Sequence, residues 1–233
     1  MLTISNLSAG YGGSTVLHAV SLRVGDGETV VVLGPNGHGK TTLLRAISGL
    51  IRPTEGTIEF DGMDTTYLPT DAIVAAGVVH IPQGDLPFPE MTVLENLLMG
   101  AYRSEAWAER AERLERVFHL FPRLAERKKL LARSLSGGER RMLALGRGLM
   151  SKARILLIDE PSLGLAPLVI EQVYETIHEI KRSGLSILLM DENADHVGGL
   201  ADRMYLLEAG VLVREGPTDE LLRDEALLAA YLG

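Results

Sequence analysis

A glycine-rich segment between a strand-like run and a helix-like run constrains this chain more than any other feature. "TVVVLG" is a continuous β-branched run, typical of a strand buried on both faces, and "LGPNGHGKTT" overlaps its end. Gly34, Gly39, Lys40 and Thr41 fit the pattern G-x-x-x-x-G-K-[ST]. Such a loop turns backbone N–H groups around phosphate oxygens, and the following helix adds the positive end of its dipole. The sequence therefore predicts a nucleotide-binding site.

The loop residues have different expected roles. We expect Lys40 to bind the β- and γ-phosphates and the Thr41 hydroxyl to coordinate Mg²⁺. His38 fills a variable position of the pattern and is given no role of its own. The full set expected to surround the nucleotide is Gly34, Pro35, Asn36, Gly37, His38, Gly39, Lys40, Thr41 and Thr42.

Length and composition limit the remaining classes of protein. A chain of 233 residues fits one α/β domain, or one domain with an inserted subdomain. The absence of cysteine excludes disulfides and cysteine-based metal sites, and it is compatible with a reducing compartment. We expect no signal peptide at the start "MLTISNLSAGYGG" and no membrane-spanning helix, because no apolar run approaches the required ~18 residues. The net charge of −8 argues against nonspecific nucleic-acid binding.

Strand-like segments predict two kinds of sheet within an α/β fold. "LTISNLSAGY", "SLRVG" and "GTIEFDG" alternate apolar and polar residues and read as antiparallel strands. "GVVHIPQ", "ARILLIDEP" and "LSILLMDE" are short buried strands separated by helical patterns, which indicates a mostly parallel sheet. We expect a single domain over 1–233, in which 1–83 and 151–233 form the core with an antiparallel β subdomain. Residues 84–150 would form an inserted helical subdomain.

The segment from Thr92 to Arg133 has a helical pattern and an excess of positive charge. Nine basic and five acidic residues between Arg103 and Arg133 give a net charge of +4. This charge is either an ordinary solvated helix face or a docking surface. The apolar stripe expected to face the core comprises Trp107, Ala111, Leu114, Phe118 and Phe121. The i,i+4 ion pairs expected on the other side are Glu109–Arg113 and Glu112–Arg116.

Two further segments carry chemistry. In "ILLIDEP", Asp159 at the strand end can hold Mg²⁺, usually through water, and Glu160 can act as the general base for an attacking water. In "SLSGGERRMLALGRGLM", Ser136, Gly137 and Gly138 precede a helix and offer a second anion site. An ordinary acid pair and a simple serine N-cap are the alternatives if each segment is taken alone.

Taken together, these motifs resemble the nucleotide-binding subunit of an ABC transporter over nearly the whole chain. The resemblance rests on Tyr11, the glycine-rich loop, Gln83, "LSGGE", "ILLIDEP" and "SLGLAP" in that order. "LSAGYGGSTVLHAVSL", "FPEMTVLENLLMGAY" and "PSLGLAPLVIEQVYETI" are similar to the ATP-binding subunits of branched-chain amino-acid importers, and "DEN" takes the place of a switch histidine. Subunits of urea and amide importers look similar too.

The resemblance implies further roles for individual residues. Tyr11 would stack on adenine, and Gln83 would reach Mg²⁺ and the attacking water and report nucleotide state to the helical subdomain. Two such domains would face head to tail, so that Ser136 and Gly138 of one chain cover the γ-phosphate held by the other. The segment 162–166 would lie across that dimer interface.

Glu192 occupies the position at which most members of the superfamily have a histidine bonded to the γ-phosphate. An ionised carboxylate has no proton to donate, and like charges ~4 Å apart at an effective dielectric near 20 repel by about 4 kcal/mol. We therefore expect Glu192 to swing away, to be protonated, or to bind a cation or basic partner. It is either a solvent-facing acid in a site that works without a switch residue, or the sign of a weaker site paired with a different subunit. His196 is a further candidate for the switch role.

The implied function is an ATP-hydrolysing, energy-coupling subunit of an ABC importer, with ATP and Mg²⁺ as ligands. Its expected partners are another ABC ATPase subunit in a homo- or heterodimer, transmembrane permease subunits and, indirectly, a periplasmic or extracellular solute-binding protein, with no nucleic acid. The expected location is the cytoplasmic face of the cell membrane, as a peripheral subunit. The alternatives are import of urea, amides or another solute, a soluble non-transport ABC protein, a P-loop kinase or GTPase, and a nucleotide-sensing module.

Overall fold

The computed structural model describes residues 1–84 and 87–224. Its strands are β1 (Leu2–Tyr11), β2 (Ser14–Val24), β3 (Thr29–Leu33), β4 (Glu55–Phe60), β5 (Met63–Asp64), β6 (Val78–Ile81), β7 (Ile155–Asp159), β8 (Ser186–Asp191), β9 (Arg203–Glu208) and β10 (Val211–Pro217). Its α-helices are α1 (Lys40–Ile47), α2 (Thr70–Ala76), α3 (Val93–Gly100), α4 (Ser104–Ala108), α5 (Arg110–Leu120), α6 (Pro122–Glu126), α7 (Gly137–Met150), α8 (Pro167–Arg182) and α9 (Thr218–Leu221).

The strands form two sheets, and the α/β fold predicted from the sequence is confirmed. A four-stranded antiparallel sheet has the order β2-β1-β4-β5. A six-stranded sheet has the order β10-β9-β3-β8-β7-β6, in which only β10 runs antiparallel to its neighbour. Every residue of β3, β7 and β8 is buried, as their continuous apolar runs predict.

The apolar core lies on both faces of the six-stranded sheet. Alternate residues of β3 divide between the faces: Val31 and Leu33 pack with α3, α5, α7 and α8, whereas Val30 and Val32 pack with α1 and the antiparallel sheet. This alternation follows from the two-residue side-chain period of a strand. The helices between β6 and β7 therefore share one apolar layer with the sheet, and the subdomain boundaries at 84 and 150 stay a prediction.

The predicted apolar stripe on the helical segment is wrong at two positions. Trp107 and Ala111 are exposed, and Ala106 and Val117 are buried instead, while Phe121 is buried as expected. Leu114 and Phe118 are half-buried and pack against the core. The cause is a break at Glu109, where α4 ends and α5 begins, because the interruption shifts the helical phase between the two segments.

The two predicted ion pairs of α5 are present, and they belong to a larger set. Arg113 Nη2 lies 2.6 Å from Glu109 Oε2, and Arg116 pairs with Glu112. Arg103, Arg123, Arg127 and Arg133 are also within ion-pair distance of a glutamate. Most of the basic residues of the segment thus have an acidic partner, which weakens the case for a purely electrostatic docking surface.

Among the described residues, no helix is long and apolar enough to span a membrane.

Candidate nucleotide-binding and hydrolysis site

The glycine-rich loop connects the end of β3 to the start of α1. Gly37 and Gly39 have φ of 82° and 108°, a backbone conformation that favours glycine. A Cβ atom on Gly34 would lie 2.3 Å from the Leu207 carbonyl oxygen of β9, so the loop can approach this strand only with glycine there. The predicted strand–loop–helix context of a phosphate-binding loop is therefore what the chain adopts.

Lys40 lies across this loop and is buried. Its Nζ donates to the carbonyl oxygens of Gly34 (2.6 Å) and Pro35 (3.1 Å) and forms an ion pair with Glu160 Oε1 at 3.0 Å. His38 faces away to the β9–β10 turn, where the Ala209 amide lies 3.1 Å from its Nδ1. The histidine side chain therefore has a partner in the fold itself, and its expected place near the nucleotide stays a prediction.

Asp159 ends β7 with its carboxylate buried and without a hydrogen bond of ordinary geometry from any described residue. Desolvation raises the pKa of Asp159, and the nearby charge of Glu160 adds to this effect. The Thr41 hydroxyl and the charges of Lys40 and Arg45 act in the opposite direction. A buried carboxylate that accepts no hydrogen bond of ordinary geometry from the described residues, beside a threonine hydroxyl, is a set of oxygen ligands that fits a hard cation such as Mg²⁺.

Glu160 joins three of the predicted catalytic residues in one network. Its Oε1 pairs with Lys40, and its Oε2 accepts a hydrogen bond of 2.8 Å from Gln83 Nε2. The residue has φ of 42°, uncommon for a side chain other than glycine, and its N–H donates to the Met190 carbonyl at 2.9 Å. The fold thus holds a strained glutamate directly after the carboxyl end of β7, and such strain often occurs at functional sites.

Tyr11 ends β1 and is half-exposed. Its hydroxyl accepts a hydrogen bond of 3.2 Å from Arg45 Nη1, which fixes the phenol next to α1. Its stacking on adenine stays a prediction, with which this exposed ring is compatible.

The Ser136-Gly137-Gly138 turn begins α7 with a capping box. Ser136 Oγ accepts from the Glu139 amide at 3.3 Å, and the Ser136 amide donates to Glu139 Oε2 at 2.9 Å. A Cβ on Gly138 would lie 2.3 Å from Val169 Cγ1, so this glycine allows α7 to pack against α8. Ser136 is exposed. Among residues 1–84 and 87–224, no hydrogen bond or ion pair joins this turn to the loop at 34–42.

Glu192 follows β8 and is exposed. Its carboxylate accepts a hydrogen bond from the side-chain amide of Asn36, which lies in the glycine-rich loop. The hydrogen-bond partner of this glutamate is therefore a neutral donor, and which of the three expected behaviours it adopts beside a nucleotide stays a prediction. From the sequence, Asn36 is expected only to lie near the nucleotide.

Other residues of the site escaped the sequence analysis. Glu139 completes the capping box of Ser136, and Arg127 Nε lies 2.9 Å from its Oε1. The Ser-x-x-Glu spacing was the signal that could have identified Glu139. Tyr174 on α8 donates to the carboxylate of Asp191, and no local pattern indicates this contact.

A phosphate-binding loop after β3, an acid pair after β7 of the same sheet and a separate Ser-Gly-Gly helix start are together the features of a P-loop ATPase. The family model for ABC transporters matches residues 17–163, and the chain belongs to this family of ATP-binding cassette ATPases. The resemblance found in the sequence is thereby confirmed.

Individual relatives cover the whole chain. The high-affinity branched-chain amino acid transport ATP-binding protein BraG of Pseudomonas aeruginosa is 41% identical, over 100% of both chains. The lipopolysaccharide export system ATP-binding protein LptB of Escherichia coli (strain K12) is 33% identical, over 100% of this chain and 97% of LptB. The solved ADP conformation of MJ1267, an ATP-binding cassette of an ABC transporter, has a TM-score of 0.86 at 28% identity, over 100% of this chain and 98% of that one.

Proposed function

We propose that this chain is the ATP-hydrolysing, energy-coupling subunit of an importer of branched-chain or other hydrophobic amino acids. The observation that carries the enzymatic part is the network of Lys40, Glu160 and Gln83 beside the buried carboxylate of Asp159. The solute class is supported by the identity of 41% to BraG, against 33% to the lipopolysaccharide export subunit LptB.

We infer a role in hydrolysis for each member of the network, and the contacts among them support it. Lys40 exchanges its ion pair with Glu160 for the β- and γ-phosphates, which frees the carboxylate of Glu160. Glu160 then accepts a proton from the attacking water, and the Gln83 amide, 2.8 Å from Glu160 Oε2, orients that water. Thr41, Gln83 and Asp159 are the residues that would hold Mg²⁺, which neutralises phosphate charge when it is bound.

A second chain completes the site in this proposal. Ser136 Oγ already accepts the Glu139 N–H, so its own proton remains available to a phosphate oxygen held by a partner chain. Leu163 lies within the segment proposed for the dimer interface and Leu168 lies two residues after it, and both are exposed, with 43% and 68% of their surface accessible. Burial of such side chains in a partner would favour dimer formation. Whether the partner is identical or a second ABC ATPase subunit is left to experiment.

We expect the positively charged helical region 84–133 to contact the permease subunits, and we place this contact on a cavity of about 450 Å³ that the region shares with the edge strand β6 and with α7. Its lining includes the exposed aromatic and apolar side chains of Phe88, Met99 and Tyr102. This surface fits the cytoplasmic loops of a membrane subunit, which would hold the chain peripherally at the cytoplasmic face. A solute-binding protein would then act on the chain only through the permease.

The test has one arm for ATP hydrolysis and one for transport. The purified chain should release phosphate from Mg·ATP, and it should fractionate with membranes only when its permease subunits are co-produced. In proteoliposomes, a solute-binding protein loaded with leucine should stimulate hydrolysis, whereas one loaded with urea should not. Hydrolysis without recovery in membranes would indicate a soluble ABC ATPase, and stimulation by lipopolysaccharide instead of leucine would indicate an export role.

A further inference from the structure

One buried tyrosine contacts both ends of the segment 191–196, which contains Glu192 and is called the switch segment below. Tyr174 lies on α8, and its hydroxyl donates a hydrogen bond to Asp191 Oδ2. Its ring stacks on the ring of His196, with centroids 4.7 Å apart and planes inclined by 24°. A single side chain of α8 therefore contacts the residue that ends β8 and a residue five positions later.

Asp191 links the Tyr174 hydroxyl to the backbone of Glu192 by hydrogen bonds. Its other oxygen, Oδ1, accepts the N–H groups of Glu192 at 2.8 Å and Asn193 at 3.1 Å. The carboxylate is fully buried, so its three donors fix both its own orientation and the first turn of the segment. Burial raises the pKa of Asp191 to about 6, and the charge of Glu160 adds to this effect, against the two N–H donors and His196.

The restraint runs from α8 to the phosphate-binding loop. Glu192, oriented through its own N–H by Asp191, accepts a hydrogen bond from Asn36 in that loop. Helix α8 begins at Pro167, directly after the segment 162–166 proposed for the dimer interface. A displacement of α8 on dimer closure would therefore move the switch segment and the Glu192–Asn36 contact together.

We propose that Tyr174 is a positioning residue for ATP hydrolysis, which holds the switch segment through Asp191 and His196 and couples it to the dimer-interface segment. The proposal rests on the proposed function, since it concerns the rate of the same site. In this proposal the tyrosine acts through its contacts with Asp191 and His196, by fixing where Glu192 lies relative to the loop.

The alternative is that Tyr174 only stabilises the fold. The substitution Tyr174→Phe distinguishes this structural role from the positioning role. This substitution keeps the buried ring and its stack on His196 but removes the hydroxyl. Loss of one hydrogen bond to a carboxylate should lower kcat for ATP about five- to tenfold, with KM changed by less than about twofold. A matched control is Tyr205→Phe on β9, because Tyr205 is equally buried and its hydroxyl donates to Glu215 at 2.9 Å.

The control variant should keep the wild-type kcat even if its Tm falls. A Tyr174→Phe variant that retains wild-type kcat, or whose loss of kcat only follows its loss of Tm as in Tyr205→Phe, overturns the proposal. If the wild-type chain shows no hydrolysis at all, the proposed function fails, which is a different result.

Two more comparisons test the stacking and the route of action. His196→Phe keeps a stacking ring and should retain kcat, whereas His196→Ala should lower it about as much as Tyr174→Phe. Equal losses in both histidine variants would give His196 a chemical role and contradict a positioning one.

In a Glu192→Ala background, Tyr174→Phe should have little further effect on kcat, because the side chain that it positions is gone. Fully additive losses would overturn the route through Glu192.

Discussion

Two neighbouring strands of the six-stranded sheet each lead into the same Asp-Glu dipeptide, and yet the fold surrounds the two acid pairs differently. Strand β7 ends at Asp159 and is followed by Glu160, and β8 ends at Asp191 and is followed by Glu192. The strands are adjacent, with Asp159 paired to Met190 in register. Both acid pairs therefore lie at the carboxyl ends of adjacent parallel strands, and only their surroundings distinguish them.

The two aspartates differ in what occupies their oxygens. Asp159 accepts no hydrogen bond of ordinary geometry from the described residues, whereas Asp191 accepts three, from Tyr174 and the N–H groups of Glu192 and Asn193. Both are buried, and burial raises the pKa of each. A cation could therefore bind Asp159 without breaking such a hydrogen bond, whereas binding to Asp191 would break hydrogen bonds that hold the backbone after β8.

The two glutamates differ in burial and in partner. Glu160 is buried, contacts Lys40 and Gln83, and has a left-handed backbone, whereas Glu192 is exposed and contacts the neutral Asn36. The dipeptide alone thus does not determine the role of an acid pair. What faces it from the loop, from the neighbouring strand and from α8 determines that role.

The largest expected difference concerns the two glutamates. Glu160→Gln removes the proton acceptor and should lower kcat for ATP by a factor of about 10² to 10⁴ while ATP binding is retained. Glu192→Gln, the matched change on β8, should alter kcat by less than about threefold, because the Gln amide can still bond to Asn36. Steady-state phosphate release and nucleotide binding measure both. Losses of similar size in the two variants would refute the contrast.

The next difference concerns the two aspartates and Mg²⁺. Asp159→Asn should raise the Mg²⁺ concentration for half-maximal hydrolysis about tenfold or more, as expected for an acid that holds the ion through water. Asp191→Asn should leave that concentration unchanged, even if it lowers kcat through the switch segment. A magnesium titration at saturating ATP checks this, and an equal shift in both variants would contradict the metal assignment.

The sequence predicted the parts of the site that local spacing determines. The loop from Gly34 to Thr42 and the acidic strand ends could be placed because a glycine pattern and an apolar run are local features. Strands β9 and β10 were not predicted from the sequence, although β9 is the neighbour of β3 that Gly34 approaches. The contact of Tyr174 with Asp191 could not be predicted, because a contact between residues 17 positions apart leaves no periodic signal. The phase error at Trp107 came from extending one helix through Glu109.

A third comparison uses pH and stability. The pKa of Asp191 is about 6 in the folded chain against an ordinary 3.8, so the folded state binds this proton more tightly than the unfolded state. The resulting stabilisation is complete below pH 3.8 and is lost as pH rises through about 6, by at most about 3 kcal/mol. Asp191→Asn should flatten this part of the pH profile of the free energy of unfolding.

The control for this measurement is the exposed Asp26, where the same substitution should leave the slope as it is. Asp159 contributes a slope of the same sign, because its pKa is also raised, and so Asp191→Asn should reduce the slope without abolishing it. Denaturant titrations between pH 4 and pH 7 provide the data. A profile that steepens in Asp191→Asn would show that the hydrogen bonds to this carboxylate outweigh its burial.

The smallest expected effect is a gain, in Glu192→His. Repulsion between a carboxylate and the γ-phosphate, about 4 kcal/mol at ~4 Å, is an upper bound, because Glu192 is exposed and already bonded to Asn36. We therefore expect turnover of the isolated chain to rise only about two- to fivefold, as a donor replaces an acceptor. In Tyr174→Phe the gain should shrink, since a histidine on a loosened segment is poorly oriented toward phosphate. Unchanged or lower turnover in Glu192→His would mean that the second acid pair does not limit this site and that Asn36 alone compensates for its charge.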